Sequence, residues 1–246
     1  MPDAGTPTMS VKGVSKRFGG LVAVDNMSFE IARNEMLGLI GPNGSGKTTM
    51  LNLISGALKP SVGTILLEGE DISAAAASEI ANRGIARTFQ IVRMLPALTV
   101  LENVAAGGVF GHSRRWGHEL DDFARELLHR VGLQAAGDAP VAALTYIDQK
   151  RVELARALAS EPKILLLDEW LAGLNPTELR TGIALIEKIR AEGRTVIIVE
   201  HVMDAIRSLC DRCVVMNSGA KIAEGTPREV LADAEVIRAY LGDADA

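Results

Sequence analysis

The sequence predicts an α/β domain with a largely parallel β-sheet. Short apolar segments of strand type recur along the chain and alternate with segments of helical length. The strand-type segments are residues 36–40, 64–67, 164–167, 195–199 and 213–216. The helical patterns between them include residues 47–55, 149–159 and 177–191. This alternation is typical of parallel strands that are joined by helical crossovers.

The stretch from about residue 99 to residue 140 departs from this alternation. Residues 120–131 have helical periodicity, and the stretch contains no convincing strand. Glycine and arginine residues ahead of that helix are expected to form a loop: Gly107, Gly108, Gly111, Arg114 and Arg115. We therefore predict that residues 91–159 form a helical insertion in the α/β core.

The composition of the 246-residue chain is that of a globular protein, with 48% hydrophobic and 23% charged residues. Its net charge of −5 argues against a nucleic-acid-binding protein, which usually carries a basic face. No apolar run approaches the roughly 20 residues that span a bilayer. The first nine residues lack the basic start and apolar core of a secretory signal, so we expect a cytosolic protein.

The two cysteines of the chain, Cys210 and Cys213, form a CxxC pair. Such a pair could be redox-active or could provide half of a zinc site. There is no second pair, and the four histidines lie elsewhere in the sequence. We therefore expect two reduced cysteines at a junction between a helix and a strand.

Residues 41–49 read Gly-Pro-Asn-Gly-Ser-Gly-Lys-Thr-Thr and match the phosphate-loop pattern GxxxxGK[ST]. An apolar strand pattern precedes this segment, and a helical pattern follows it. Glycines let backbone N–H groups surround phosphates closely, and the helix N-terminus adds partial positive charge. We predict that the following residues bind a nucleotide: Gly41, Asn43, Gly44, Ser45, Gly46, Lys47, Thr48 and Thr49. Lys47 would contact the β- and γ-phosphates, and the Thr48 hydroxyl would bind Mg²⁺.

A second carboxylate-bearing segment completes this predicted site. Four apolar residues, 164–167, end in Asp168 and Glu169. Ligands of open α/β sheets bind at the carboxyl ends of the strands. We therefore predict that Asp168 holds Mg²⁺, directly or through water, and that Glu169 is the general base for an attacking water.

These motifs, in their order along the chain, resemble those of the ATP-binding-cassette (ABC) ATPases, from about residue 9 to residue 242. The resemblance implies ATP and Mg²⁺ as cofactors. It implies a P-loop NTPase core with a mostly parallel sheet, an antiparallel N-terminal β-subdomain and the inserted α-helical subdomain. It also implies that residues 1–246 form a single ABC ATPase domain, of which residues 225–246 form a C-terminal helical tail.

Four further residues match functional positions of that family. Phe18 resembles the aromatic residue that stacks on adenine, although it could also be a core residue at a strand end. Gln90 resembles the glutamine that contacts Mg²⁺ and the attacking water, and His201 resembles the switch histidine that contacts the γ-phosphate. Taken alone, either residue could be structural. Asn175 occupies a position in the D-loop at which aspartate is commoner.

The signature motif departs from the family pattern LSGGQ, because residues 144–148 read Leu-Thr-Tyr-Ile-Asp. The resemblance implies that this motif faces ATP on a partner subunit, where Thr145 would offer its hydroxyl to the γ-phosphate. Ile147 replaces a glycine, so we expect it to hinder backbone approach to phosphate. Asp148 suits a helix N-terminus but places negative charge near phosphate. Trp170, which replaces a proline, is expected to crowd Glu169.

Within the family, the chain is most similar to the ATPases of branched-chain or hydrophobic amino-acid importers. The supporting stretches are residues 17–21, 87–90, 172–176 and 225–242. The similarity implies direct partners, which are transmembrane permease subunits and a second ATPase subunit in a homo- or heterodimer. It implies a periplasmic binding protein as an indirect partner and no nucleic acid. The chain would be a peripheral protein on the cytoplasmic face of the inner membrane, and soluble when isolated.

Other functions stay open at this point. The ATPase of lipopolysaccharide export has a similar tail, and a regulatory subunit with weak hydrolysis would agree with Ile147 and Trp170. An ABC ATPase that acts on nucleic acid or ribosomes would usually have tandem cassettes. A small-molecule P-loop kinase would need an acceptor pocket and an arginine-rich lid. Arginines that could form such a lid are Arg83, Arg87 and Arg93.

Overall fold

The computed structural model describes residues 7–111 and 114–241. Its strands are β1 (Met9–Phe18), β2 (Leu21–Ile31), β3 (Met36–Ile40), β4 (Val62–Leu67), β5 (Glu70–Asp71), β6 (Ile85–Arg87), β7 (Ile164–Asp168), β8 (Thr195–Val199), β9 (Arg212–Asn217) and β10 (Ala220–Gly225). Its helices are α1 (Lys47–Ile54), α2 (Ala77–Asn82), α3 (Val100–Phe110), α4 (Gly117–Arg130), α5 (Tyr146–Ala159), α6 (Pro176–Ala191), α7 (Met203–Leu209), α8 (Pro227–Ala232) and α9 (Ala234–Leu241). A short 3-10 helix covers Val141–Ala143.

The larger sheet has six strands in the order β10-β9-β3-β8-β7-β6. All of its neighbouring strands are parallel except β10, which pairs antiparallel with β9. Every residue of β3, β7 and β8 is buried, because the sheet is covered on both faces. The predicted α/β core with a mostly parallel sheet is confirmed.

The smaller sheet is antiparallel, in the order β2-β1-β4-β5. It packs over one face of the parallel sheet, together with α1. Alternate residues of β3 belong to two separate apolar clusters, since successive strand residues point to opposite faces. Leu37 and Leu39 pack toward the antiparallel sheet, whereas Met36 and Ile40 pack toward the helices on the other face.

Helices α3, α4 and α5 form a layer in which each helix contacts the other two. The predicted helix at residues 120–131 corresponds to α4. The prediction that Gly107 and Gly108 belong to a loop is wrong, because both lie inside α3. A Cβ atom at Gly107 would lie 2.1 Å from the Arg156 carbonyl oxygen, and one at Gly108 would lie 2.6 Å from Leu120 Cδ1. These glycines therefore let α3 approach α5 and α4 closely, while the segment boundaries at residues 91 and 159 stay predictions.

The C-terminal part of the described chain consists of α8 and α9, and residues 242–246 of the predicted tail lie outside the described residues. Cys210 and Cys213 are buried free thiols, the first directly after α7 and the second within β9, where the sequence places a helix-to-strand junction. Among the residues that the structure describes, none of the helices has both the length and the apolar character needed to cross a bilayer.

The contact between α3 and α5 yields a stability prediction. Gly107→Ala should lower the free energy of unfolding by about 1–3 kcal/mol, because the new methyl group overlaps a backbone carbonyl that cannot rotate away. Urea unfolding of the full chain measures this change. Gly20→Ala is the matched control, since a Cβ there meets nothing within 4 Å, and its effect should stay within about 0.5 kcal/mol. Equal stability of the two variants would contradict the proposed close packing.

Candidate active site

The glycine-rich loop connects the carboxyl end of β3 to α1. Three of its glycines have positive φ angles: Gly41 (148°), Gly44 (79°) and Gly46 (101°). A Cβ at Gly41 would lie 2.0 Å from the Met216 carbonyl oxygen, and one at Gly46 would lie 2.4 Å from the Ala23 carbonyl oxygen. These two glycines are therefore required by packing within the protein. Gly44 instead faces open space, on the side where a phosphate would bind.

Lys47, the first residue of α1, folds back over this loop. Its Nζ donates hydrogen bonds of 2.8 Å to the carbonyl oxygens of Gly41 and Pro42. Burial lowers the pKa of Lys47, while the negative charges of Glu169 and Asp168 act in the opposite direction. The ammonium group is thus held by two carbonyl oxygens of the loop, within the electrostatic influence of two carboxylates. A polyanion such as a nucleotide phosphate group would complement that charge.

Glu169 lies directly after β7 and is held by two other candidate residues. Gln90 Nε2 donates a 2.7 Å hydrogen bond to Glu169 Oε2, and His201 Nε2 lies 2.9 Å from Glu169 Oε1. Glu169 has a φ of +49°, an unusual value for a residue with a Cβ, and its backbone N–H donates to the Val199 carbonyl oxygen at 2.8 Å. The structure therefore brings together three residues that are far apart in the sequence.

Asp168 is buried beside Glu169, and its carboxylate has two different environments. Arg87 Nη2 lies 2.6 Å from Oδ2, and Arg87 Nη1 donates to Asn52 Oδ1 on α1 at 2.6 Å. The other oxygen, Oδ1, is buried and accepts no hydrogen bond from any residue that the structure describes. Such an orphan carboxylate oxygen, with the exposed Thr48 hydroxyl on the loop, suits a divalent cation.

Glu169 and its two partners, together with the glycine loop, border an open cavity of about 850 Å³ at the carboxyl edge of the parallel sheet. Its lining includes residues of the loop, the catalytic candidates and the N-terminal sheet: Phe18, Asn43, Gly44, Gly46, Lys47, Thr48, Thr49, Gln90, Glu169 and His201. Phe18 is 45% exposed at the mouth, so a nucleotide base could stack on its ring. The cavity is large enough for a nucleoside triphosphate.

The signature residues do not line this cavity. Thr145 is the N-cap of α5, where its Oγ1 accepts from the Asp148 N–H and donates to Asp148 Oδ2. Arg151 lies 3.1 Å from Asp148 Oδ1 and so offsets the negative charge of Asp148, which the sequence analysis expects near phosphate. Ile147 is half-buried on the first turn of the same helix. Asn175, at the D-loop position, caps α6 by accepting from the N–H groups of Thr177 and Glu178.

Trp170 does not crowd Glu169, in contrast to the sequence-based expectation. Its side chain is 1% exposed and packs inward, where a Cβ at Gly182 of α6 would lie 3.2 Å from its ring. The indole Nε1 donates a 3.1 Å hydrogen bond to the Lys150 carbonyl oxygen. The large residue is accommodated because the neighbouring helix carries a glycine at the contact.

Sequence reasoning missed two buried carboxylates behind the site. Glu153, in the middle of α5, accepts from the backbone N–H groups of Phe89 (3.2 Å) and Arg93 (2.9 Å), which flank Gln90. Glu200 precedes His201 and accepts from the Leu171 N–H at 2.6 Å. The available signal was a glutamate that stands next to an apolar strand pattern or within a mostly apolar helical pattern. Carboxylates are rarely buried unless they are paired, so a glutamate at such a position indicates bonding partners inside the protein.

The glycine loop joins β3 to the helix that begins with Lys47, and Asp168 and Glu169 lie at the end of β7, with β8 between the two strands. This arrangement defines a P-loop ATPase. The family model for the ABC transporter matches residues 24–172. A second model, described as branched-chain amino acid ATP-binding cassette transporter, matches residues 220–246. The chain therefore belongs to the ABC transporter family, as an ATP-binding and ATP-hydrolysing subunit.

Individual proteins agree with this family assignment. The chain is 40% identical to the high-affinity branched-chain amino acid transport ATP-binding protein LivG of Escherichia coli K12, over 97% of this chain and 99% of that protein. It is 33% identical to the lipopolysaccharide export system ATP-binding protein LptB of the same organism, over 96% and 98% of the two chains.

Solved structures show the same fold. A nucleotide-free ATP-binding cassette from an ABC transporter superposes with a TM-score of 0.88 at 31% identity, over 96% of this chain and all of that one. A dimeric ATP-binding cassette, MJ0796, in a post-hydrolysis state with ADP and Pi, has a TM-score of 0.81 at 29% identity, over 89% and 99% of the chains. The predicted ABC ATPase fold, with its antiparallel N-terminal sheet and helical insertion, is confirmed.

Glu200 provides a pH-dependent prediction. Burial raises the pKa of its carboxyl group to about 7, although the Leu171 N–H and the Lys150 ammonium oppose the shift, while Glu169 adds to it. A raised folded-state pKa means that the folded chain holds this proton more tightly than the unfolded chain does. The protonated Glu200 carboxyl therefore stabilises the folded chain fully below the unfolded-state pKa of 4.5, and this stabilisation is lost as the pH rises through about 7.

The free energy of unfolding of Glu200→Gln should therefore exceed that of the original chain by an amount that grows between pH 5 and pH 8, up to a few kcal/mol. The amide removes the ionisation but can still accept from the Leu171 N–H. Urea unfolding at several pH values measures the difference, and Glu187→Gln, at an exposed position of α6, serves as the control. A constant difference across this pH range would rule out Glu200 as the titrating group.

Proposed function

We propose that this chain hydrolyses ATP at the site between the glycine loop and Glu169, with Mg²⁺ as cofactor, and so energises a membrane importer. The observation that carries the proposal is the arrangement of Glu169, whose two carboxylate oxygens lie 2.7 Å from Gln90 Nε2 and 2.9 Å from His201 Nε2. The three groups border the same cavity as the phosphate loop. A base that is oriented in this way next to a phosphate site suits attack by water on the γ-phosphate.

Each side chain has a separate task in the proposed reaction. Glu169 accepts a proton from the water that attacks the γ-phosphorus, and the bond to the β–γ bridging oxygen breaks to release ADP and phosphate. Lys47 and the loop N–H groups stabilise charge on the phosphate oxygens. Gln90 and His201 keep the carboxylate of Glu169 in position and can contact the water or the γ-phosphate. Phe18 supports the adenine ring by stacking.

Three residues would hold the cation. The Thr48 hydroxyl, the unpartnered Oδ1 of Asp168 and the Gln90 side chain offer the oxygen ligands that Mg²⁺ prefers. When bound, Mg²⁺ supplies charge neutralisation on the β- and γ-phosphates. Arg87 holds the other oxygen of Asp168 at 2.6 Å, and so fixes the direction in which Oδ1 points.

Two such chains, or this chain and a second ATPase, would enclose ATP between one subunit's glycine loop and the other's signature. The dimeric cassette with ADP and Pi among the similar structures supports this arrangement. Thr145, Ile147 and Asp148 lie outside the chain's own cavity, as residues that serve a partner's site would. Asn175 caps α6 at the D-loop position and would face the same interface.

Branched-chain or other hydrophobic amino acids are the transported substrates that we favour. Support comes from the relative named as a branched-chain amino acid transport protein, and from the matching model of residues 220–246. Lipopolysaccharide export is the second candidate, because the chain is also 33% identical to an export ATPase. The 40% identity to the importer subunit and the C-terminal match favour import.

The same assignment suggests where the partners bind. We propose that residues 1–246 act as one ABC ATPase domain on the cytoplasmic face of the inner membrane, with residues 91–159 as the helical insertion and residues 225–246 as the tail. Transmembrane permease subunits would contact the groove beside Gln90, where Ile91 and Leu95 are exposed. A periplasmic binding protein would deliver the substrate to those permease subunits.

The role of Glu169 is tested by Glu169→Gln. Steady-state ATP hydrolysis should fall by about 100-fold or more, because the amide cannot accept the proton, while ATP binding persists. Glu187→Gln on α6 should hydrolyse ATP at the original rate. Full turnover by Glu169→Gln would refute the general-base assignment, and absent turnover in the original chain with its permease and partner would favour the regulatory alternative.

The role of Ile147 is tested in a complete transporter. We expect Ile147→Gly to increase ATP turnover, because a glycine on the first turn of α5 lets the backbone approach the partner's γ-phosphate. Glu169→Gln in the same assembly identifies the turnover that comes from this chain's own loop. If Ile147→Gly leaves turnover unchanged, the side chain at this position does not limit hydrolysis.

A further inference from the structure

Lys150, on the second turn of α5, is a charged residue that the proposed reaction does not use. The residue is 1% exposed, and its ammonium group lies against the turn that follows β7. Its Nζ donates to the carbonyl oxygens of Glu169 (3.3 Å), Trp170 (2.9 Å) and Ala172 (2.9 Å). One side chain of the helical layer therefore binds three carbonyl groups of the segment that carries Glu169.

Burial of an ammonium group is unfavourable unless its donors are satisfied. Burial lowers the pKa of Lys150, and the charges of Glu200, Glu153 and Glu169 oppose that effect. An ammonium has three N–H donors, and the turn supplies three acceptors at suitable distances. This agreement between three donors and three acceptors is particular to the turn, because the turn brings the carbonyl groups of three residues together within a four-residue segment.

The contact is reciprocal. The Trp170 indole Nε1 donates to the Lys150 carbonyl oxygen at 3.1 Å, and the Lys150 ammonium donates to the Trp170 carbonyl oxygen. The Trp170 ring is fixed in turn against α6 at Gly182. Residues 169–172 are thus attached to α5 through both backbone and side-chain groups. The φ of +49° at Glu169 occurs within this attached segment.

We propose that Lys150 is a positioning residue for Glu169. By binding the carbonyl groups of the turn, it holds the Glu169 backbone in its left-handed conformation, and the carboxylate then lies between Gln90 and His201. Without the ammonium, the Trp170 and Ala172 carbonyl groups lose this donor and the Glu169 carbonyl keeps the Ala172 N–H at 3.1 Å, so the turn can relax toward more common backbone angles. Lys150 touches neither the nucleotide site nor the carboxylate, so its effect on hydrolysis is indirect.

A second consequence rests on the proposed function. Helix α5 begins at Tyr146, so it contains most of the signature motif, and Lys150 lies on the same helix two residues beyond Asp148. The helix that would contact the partner's ATP therefore also holds this chain's own Glu169. A shift of α5 on contact with the partner's nucleotide would move the turn at residues 169–172. Lys150 would in this way couple the two ATP sites of a dimer.

The test is a comparison of turnover with nucleotide affinity. Lys150→Met keeps the unbranched side chain, one atom shorter, and removes its donors. We expect kcat for ATP hydrolysis to fall about 10- to 100-fold, the cost of misplacing a catalytic group by about 1 Å, while the dissociation constant for ATP stays within about 2-fold. Lys188→Met, at an exposed position of α6, is the matched control and should keep both values.

Trp170→Phe provides a milder variant, in case Lys150→Met does not fold. It keeps the aromatic ring and removes the N–H that binds the Lys150 carbonyl oxygen, so kcat should fall severalfold at unchanged ATP affinity. In the double variant the losses should be less than additive, because both side chains act through the same turn. Thermal unfolding, followed in parallel, confirms that each variant is folded at the assay temperature.

The outcomes separate this inference from the proposed function. An unchanged kcat in both Lys150→Met and Trp170→Phe would overturn the positioning role, and so would an equal loss of kcat and ATP affinity. Turnover of the original chain that disappears in Glu169→Gln would leave the proposed ATPase function intact in either case. If Glu169→Gln keeps full turnover, the proposed function itself fails.

Discussion

The register of the parallel sheet is the constraint on which the rest of the structure depends. Buried strands must satisfy all their backbone hydrogen bonds with neighbours, so β3, β6, β7 and β8 run side by side and end at one edge. The glycine loop begins after β3, Asp168 ends β7, and His201 follows β8. Gln90 lies three residues beyond the end of β6. A slip of one residue in any pair would separate these side chains, because successive residues of a strand point to opposite faces.

Charged groups that are buried behind this edge connect the sheet to the helical layer. Arg87 joins Asp168 to α1, Glu153 binds the backbone on both sides of Gln90, and Lys150 binds the turn after Glu169. Replacing buried ion pairs with apolar residues often leaves stability unchanged or higher, so stability alone does not account for them. The three charged groups share their position in the fold, because each contacts a segment that carries a candidate catalytic or metal-binding residue. In this chain buried charge is concentrated where the two layers meet at the site.

The features that the sequence predicts well are those set by local patterns. Fully buried strands are continuous apolar runs, so residues 36–40 and 195–199 coincide with β3 and β8, and the loop with Lys47 follows from its own motif. Strands β1 and β2 were not predicted as elements from their pattern, because their pairing has register shifts that break a strict alternation. The sequence-based expectations for Gly107 and Trp170 are wrong for one reason. Their environments are made by α5 and α6, which are distant in the sequence, and no local pattern contains that packing.

The position of the tryptophans gives the protein two intrinsic optical probes in different layers. The chain has two tryptophans; Trp170 is 1% exposed in the turn that follows β7, whereas Trp116 is 64% exposed immediately before α4. Indole emission depends on the polarity of its surroundings, so the buried ring should emit at shorter wavelength than the exposed one. With Trp116 replaced by phenylalanine, the remaining fluorescence would come from the residue next to Glu169. Movement of that turn during nucleotide turnover could then be followed in solution without an attached dye.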